Sequence, residues 1–207
     1  RMVVNFAGSL LSPNTVKVNF FQAPNYIGSI NDACSEKAQI LADLLNAAGA
    51  ETKAVDALQL RTRVWEKTIL NASISALCGV SRLTMAEAMA EPDTVELVEQ
   101  IINEAVQVAE HEKIRFADDF LRRCFTYLKK GGDHFPSMAL DLIHNKQTEI
   151  DHFNGKIVSY GRKHYTRTSL NLSFTNVVKA MSNKNIVSRI PGVASHVNKK
   201  KIIYLYQ

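Results

Sequence analysis

No stretch of the 207 residues comes near the run of roughly 20 apolar residues that crosses a bilayer. No secretion signal stands at the start, so neither a membrane partner nor export is expected. Cysteine is scarce. Cys34, Cys78 and Cys124 are the only three, far apart, odd in number and in apolar surroundings. This argues against a disulfide framework or a C-x-x-C metal site and predicts reduced core residues in a cytoplasmic protein. The six histidines are scattered without an H-E-x-x-H pattern, so no metal is expected. Charge of one sign is also short. The net +5 lies largely in Lys199-Lys200-Lys201. A nucleic-acid partner would need a larger and better-placed basic surface, and none is expected. Internal repeats and low-complexity tracts are absent.

What is present is apolar content of 46% against 22% charged residues, enough for one good core or two small domains. Val3–Phe6, Thr15–Phe21 and Tyr26–Ile30 alternate and are rich in Val, Phe and Tyr. Turn signals at Ser12-Pro13-Asn14 and Ala23-Pro24-Asn25 separate them, which predicts a small antiparallel meander. Ser35 starts a helix to about Ala48 with Ile40, Leu41, Leu44 and Leu45 as its core stripe, and Gly49 ends it. Glu51–Val55 reads as a last strand. Because Arg1-Met2-Val3-Val4 is already β-like, the chain is expected to be a fragment of something longer.

From Asp56 the pattern is helical. Helices are predicted over Asp56–Val80, Thr84–Ala90, Asp93–Glu112, Phe116–Lys130 and Leu170–Asn183. The expected class is α+β or mainly α, with a boundary near residue 56. Ile190-Pro191-Gly192 is expected to end the fold, leaving residues 191–207 as a tail. Lys199–Gln207 is either a short strand or disordered.

Two polar constellations interrupt the apolar pattern. Thr68 to Ser81 holds no charged residue, so that helix is buried on most sides. Lys67 stands at its entrance, with Asn71 and Ser75 at i+4 and i+8 on the same face. Burial of an ammonium lowers its pKa, and a lysine tuned toward neutrality suits a general acid. The second constellation is Pro136–Gly155. Ser137 opens a helix ahead of Met138, Leu142 and Ile143. Thr148 with Asp151 forms a capping-box pattern, and Ile150, Phe153 and Ile157 follow at helical spacing. Gly155 inside that period predicts a close approach by another helix or a ligand.

Each feature also has a plainer reading. Lys67 snorkels to solvent, Ser137 only caps a helix, Glu149 only answers a helix dipole, and Asn154-Gly155 only marks a helix crossing. Taken together, the pattern is more specific. Trp65-Glu66-Lys67 with Asn71, Ser137-Met138 with Asp141, and Thr148-Glu149-Ile150-Asp151 with Asn154-Gly155 resemble ketopantoate reductases.

That resemblance implies the C-terminal end of a Rossmann-type α/β domain over residues 1–55. An all-helical domain like that of 6-phosphogluconate dehydrogenase then follows over residues 56–190. It implies NADPH as cofactor, with the glycine-rich phosphate loop absent from this chain, and a small-molecule 2-keto acid as substrate. Lys67 matches the catalytic lysine, and Asn71, Ser75 and Ser137 fall at substrate-binding positions. Glu149 matches an active-site glutamate that positions the lysine and reaches the cofactor. Ser75 stands where well-known members carry asparagine. Tyr165 and Ser169 stand where a glycine and a proline are common, and Asn171 matches a following asparagine.

The implied activity is NADPH-dependent reduction of 2-dehydropantoate to pantoate in pantothenate synthesis. Two alternatives stay open. One is a reductase of a different 2-keto acid on the same fold. The other is a helical dimerisation module, inactive as supplied, for which the long amphipathic helices leave a homodimer possible.

Overall fold

The computed structural model describes residues 1–21 and 23–187. The predicted end at Ile190-Pro191-Gly192 and the tail over Lys199–Gln207 lie outside the described residues. The chain divides into two compact units. One is Arg1–Thr68 with Ala109–Ala117, and the other is Ile69–Val108 with the chain from Asp118 onward.

Among the described residues the first unit holds five strands: β1 (Met2–Val3), β2 (Phe6–Ser12), β3 (Thr15–Phe21), β4 (Asn25–Ile27) and β5 (Thr52–Ala54). They do not form the expected meander. β2 and β3 make a separate antiparallel hairpin, while β4 pairs antiparallel with β1 and parallel with β5. The parallel pair needs a crossover, and helix α1 (Ser35–Ala47) supplies it. Local alternation reports that a strand exists, not which strand it pairs with.

The leucine stripe expected to bury α1 is a second correction. Ala38 and Ala42 pack on Ile27, Met2 and Ala54, whereas Ile40, Leu41 and Leu44 are exposed. Small side chains let the helix approach the sheet closely, and the leucines point elsewhere. Asn46 clamps β5 to this helix: its Nδ2 donates to the Thr52 carbonyl and its Oδ1 accepts from the Thr52 N–H, both at 2.8 Å. Gly49 ends α1 as expected, with a positive φ of 81°. The Ala50 N–H donates to the Leu45 carbonyl, as a Schellman stop requires.

Helix α2 (Ala57–Ser81) matches the long helix read from the sequence. α3 (Met85–Ala90) opens on a complete capping box between Thr84 and Glu87. α4 (Pro92–His111) carries proline at its first position, where its missing N–H costs nothing. α5 (Phe120–Lys129) starts later than the expected Phe116. α6 (Ser137–Ile143), a 3-10 turn at Ile150–His152, α7 (Asn154–Lys163) and α8 (Ser169–Val187) complete the described chain. Cys78 and Cys124 are buried in the second unit as expected, but Cys34 is exposed at the start of α1.

The capping box expected at Thr148 does not form. A 3-10 turn intervenes, and the two side chains go elsewhere. The Thr148 hydroxyl lies 3.4 Å from that of Ser182, and Asp151 accepts from Lys179 Nζ at 2.7 Å. The close approach expected at Gly155 is to another helix and to this same aspartate. A Cβ there would lie 2.9 Å from Asp151 Oδ1 and 3.6 Å from Thr175 of α8.

α7 stops in the same Schellman manner as α1, with the Thr166 N–H donating to the Gly161 carbonyl at 2.9 Å. Here the left-handed position is filled by Tyr165, at φ 57°, with its side chain 99% exposed. A side chain in that conformation costs energy that glycine avoids, and the exposed ring recovers nothing by burial. Tyr165→Gly should therefore stabilise the fold by about 0.5–1 kcal/mol, net of glycine's extra unfolded-state entropy. A higher urea midpoint at constant slope would show this. A lower midpoint would mean the tyrosine ring makes a stabilising contact.

Candidate active site

One buried cluster of the second unit comprises Ala76 of α2, Met138 and Leu142 of α6, Ile150 of the 3-10 turn and Val178 of α8. Val80, Phe153, Phe174 and Met181 pack against it. Three of the singled-out polar residues are chain neighbours of these anchors. Ser75 precedes Ala76, Ser137 precedes Met138, and Glu149 precedes Ile150. Burying the anchors thus fixes where the polar groups start from. Gly79 tightens the arrangement, since a Cβ there would sit 3.2 Å from Leu142 and 3.5 Å from the Ala139 backbone.

Asn71 is partly buried and Ser75 is 4% exposed. Ser137 is the first residue of α6. Pro136 occupies the cap position and the serine hydroxyl does not cap the helix, so the plain reading of Ser137 as a cap fails. Its side chain is exposed, as is that of Glu149. Neither group is consumed by local structure in the way a helix cap would be.

Lys67 belongs to the first unit. Its ammonium donates to the Val4 carbonyl. Part of the side chain is open to solvent, while burial of the rest holds its pKa below the ordinary lysine value of 10.5. The direction is the one the apolar helix implied, and its cause is desolvation. One turn further along α2, residues 72–79 are all buried.

Sequence reading missed a buried polar chain in the second unit. Asn154, Asn171 and Glu104 join α7, α8 and α4 by hydrogen bonds. Two signals were available. Asn154 interrupts an apolar period between Phe153 and Ile157. Glu104 sits three residues after Ile101 and four before Val108, on the buried face of α4. Among the described residues, no group of three or more His, Cys, Asp or Glu side chains is placed to hold a metal, and no helix is long and apolar enough to cross a membrane.

A strand–helix–strand segment followed by a helical unit with polar groups around one cluster defines a C-terminal dehydrogenase-type fold. Solved structures share it. A PanE/ApbA family ketopantoate reductase from Ralstonia eutropha superimposes with TM-score 0.78 at 24% identity, over 89% of this chain and 59% of that one. A D-mandelate dehydrogenase bound to NADH and anilino(oxo)acetate gives TM-score 0.76 at 26% identity, over 90% of this chain and 61% of that one.

The chain belongs to the ketopantoate reductase family: residues 59–182 match its C-terminal region, described as "Ketopantoate reductase PanE/ApbA C terminal". The 2-dehydropantoate 2-reductase of Archaeoglobus fulgidus is 26% identical over 156 residues, covering 75% of this chain and 52% of that protein. The enzyme of the same name from Aquifex aeolicus is 32% identical over 120 residues, covering 56% and 38%. The chain spans about half the length of the curated relatives it matches.

Proposed function

We propose that this chain is the C-terminal part of an NADPH-dependent 2-dehydropantoate 2-reductase, with residues 1–55 closing a Rossmann-type domain and residues 56–190 forming the substrate domain. The observation that carries the reading is the family match over the helical unit, joined to the attachment of Ser75, Ser137 and Glu149 to one buried cluster. The residues present do not make a complete dinucleotide site, because the chain has no glycine-rich phosphate loop. A dinucleotide held by the complete site would supply the hydride, while the residues of this chain would bind the keto acid and deliver the proton.

In this reading Lys67 donates a hydrogen bond, then a proton, to the keto oxygen of the substrate. Hydride addition at the carbonyl carbon builds negative charge on that oxygen, and a preorganised cationic donor stabilises it. The exposed Ser137 hydroxyl binds the substrate carboxylate. Asn71 and Ser75 hold the remaining polar groups, and Glu149 would meet the cofactor. The product is a 2-hydroxy acid, with one hydride on carbon and one proton on oxygen.

A second reading keeps the reaction and changes the substrate. Ser75 is smaller than asparagine, and the D-mandelate dehydrogenase of the same fold holds an aromatic keto-acid analogue. The test is kcat/KM of the full-length protein for 2-dehydropantoate against bulkier aryl 2-keto acids. A preference for 2-dehydropantoate of on the order of 100-fold supports the first reading, since a mismatched pocket costs about that much. The reverse preference supports the second, and no NADPH oxidation with any 2-keto acid removes both.

A further inference from the structure

Asn154 is the first residue of α7 and is 0% exposed. Its Nδ2 donates to the Ala72 carbonyl of α2 and to Asn171 Oδ1 of α8, both at 3.0 Å. Asn171, also 0% exposed, donates its own Nδ2 to Glu104 Oε2 at 2.8 Å and to the Ile101 carbonyl at 3.4 Å. The order of donors is forced. An ionised Glu104 can only accept, so Asn171 must turn its amide nitrogen toward it and its oxygen toward Asn154. Asn154 must then present its nitrogen to both Asn171 and Ala72. A flipped Asn154 would set its oxygen against two other oxygens.

This arrangement is costly as a means of stability alone. Asn154 Oδ1 is buried with no hydrogen-bond partner among the described residues, a loss that an apolar side chain would avoid. What the amide supplies is direction. Ala72 directly follows Asn71 and lies one turn from Ser75, while Asn154 follows Glu149 by five residues. The Asn154–Ala72 bond therefore ties the segment bearing Glu149 to the turn of α2 bearing Asn71 and Ser75.

We propose that Asn154 is a positioning residue, which sets Asn71 and Ser75 in register with Glu149 through its bond to the Ala72 carbonyl. The proposal rests on the reading above, in which Asn71 contacts the keto acid. Misplacing a substrate-binding group by about 1 Å costs on the order of 10- to 100-fold.

The test is a double-mutant cycle on the full-length protein, read as the keto-acid KM, which does not depend on how much of the sample is folded. Asn154→Ala is expected to raise that KM by on the order of tenfold or more and to leave the cofactor KM unchanged. Combined with Asn71→Ala its effect should shrink well below the factor it has alone, because one of the two groups it positions is already gone. Independent, multiplying effects would overturn the proposal, as would an unchanged KM in a variant that merely melts earlier. Asn154→Ser, which keeps a donor, is the variant to read should Asn154→Ala fail to fold. If neither folds, Asn154 is a scaffold residue and the proposal falls. A normal KM in Asn71→Ala alone would instead sink the substrate reading on which it rests.

Discussion

Lys67→Ala in the full-length protein should lower kcat for keto-acid reduction by on the order of 100- to 10,000-fold, the range set by a positioned general acid. Loss of a methylene stem at a partly open site would cost little by itself, so a fall of that size would come from the missing proton donor. The pH profile gives an independent reading. The donor works only when protonated, so activity should fall as pH rises through the lysine pKa. Burial holds that pKa below 10.5, which moves the alkaline limb toward neutrality relative to a solvated amine. The same shift destabilises the charged form in the folded chain, so the lysine's contribution to stability improves as pH rises from below its folded pKa toward its unfolded one. A Lys67→Ala enzyme with kcat within about threefold of the parent would rule out the general-acid role.

Glu104→Ala should cost roughly 3 kcal/mol of stability. The carboxylate accepts from the backbone N–H groups of Leu170 and Asn171 at 2.9 and 3.0 Å and from Asn171 Nδ2 at 2.8 Å. It thus closes the N-terminal turn of α8 from a neighbouring helix, where free N–H groups and the helix dipole both favour negative charge. Alanine would leave these donors unanswered around a fully buried Asn171. Glu104→Gln keeps the shape and one acceptor, so it should lose less than the alanine variant. Urea midpoints at constant slope measure both. A loss under about 1 kcal/mol for alanine would mean that water replaces the carboxylate at no great cost.

The helices were the legible part of the fold. α2 and α4 could be placed because long apolar periods and the proline at position 92 are local signals. Strand partners were not legible, because the pairing of β4 with β1 and β5 depends on residues far away in sequence. The leucines of α1 misled for a related reason. Periodicity finds the apolar face of a helix, but the sheet selected Ala38 and Ala42 for closeness instead.

At the candidate site, Ser137 and Glu149 could be singled out because the apolar anchors beside them are periodic and their motif is recognisable. The Thr148 capping pattern failed because Ser182 and Lys179, distant in sequence, compete for the same side chains. Glu104 and its bond to Asn171 escaped notice because that pair makes sense only once α4 and α8 lie side by side.

The placement of the three thiols has a practical side. Thiol reagents attack the thiolate, and desolvation pushes Cys78 up to about 12, while Cys124 is sealed in the same unit. Cys34 alone of the three faces solvent, beside the first turn of α1. A maleimide dye therefore has a single natural address on the strand-bearing unit, and a fluorophore can be attached there without engineering the helical unit at all.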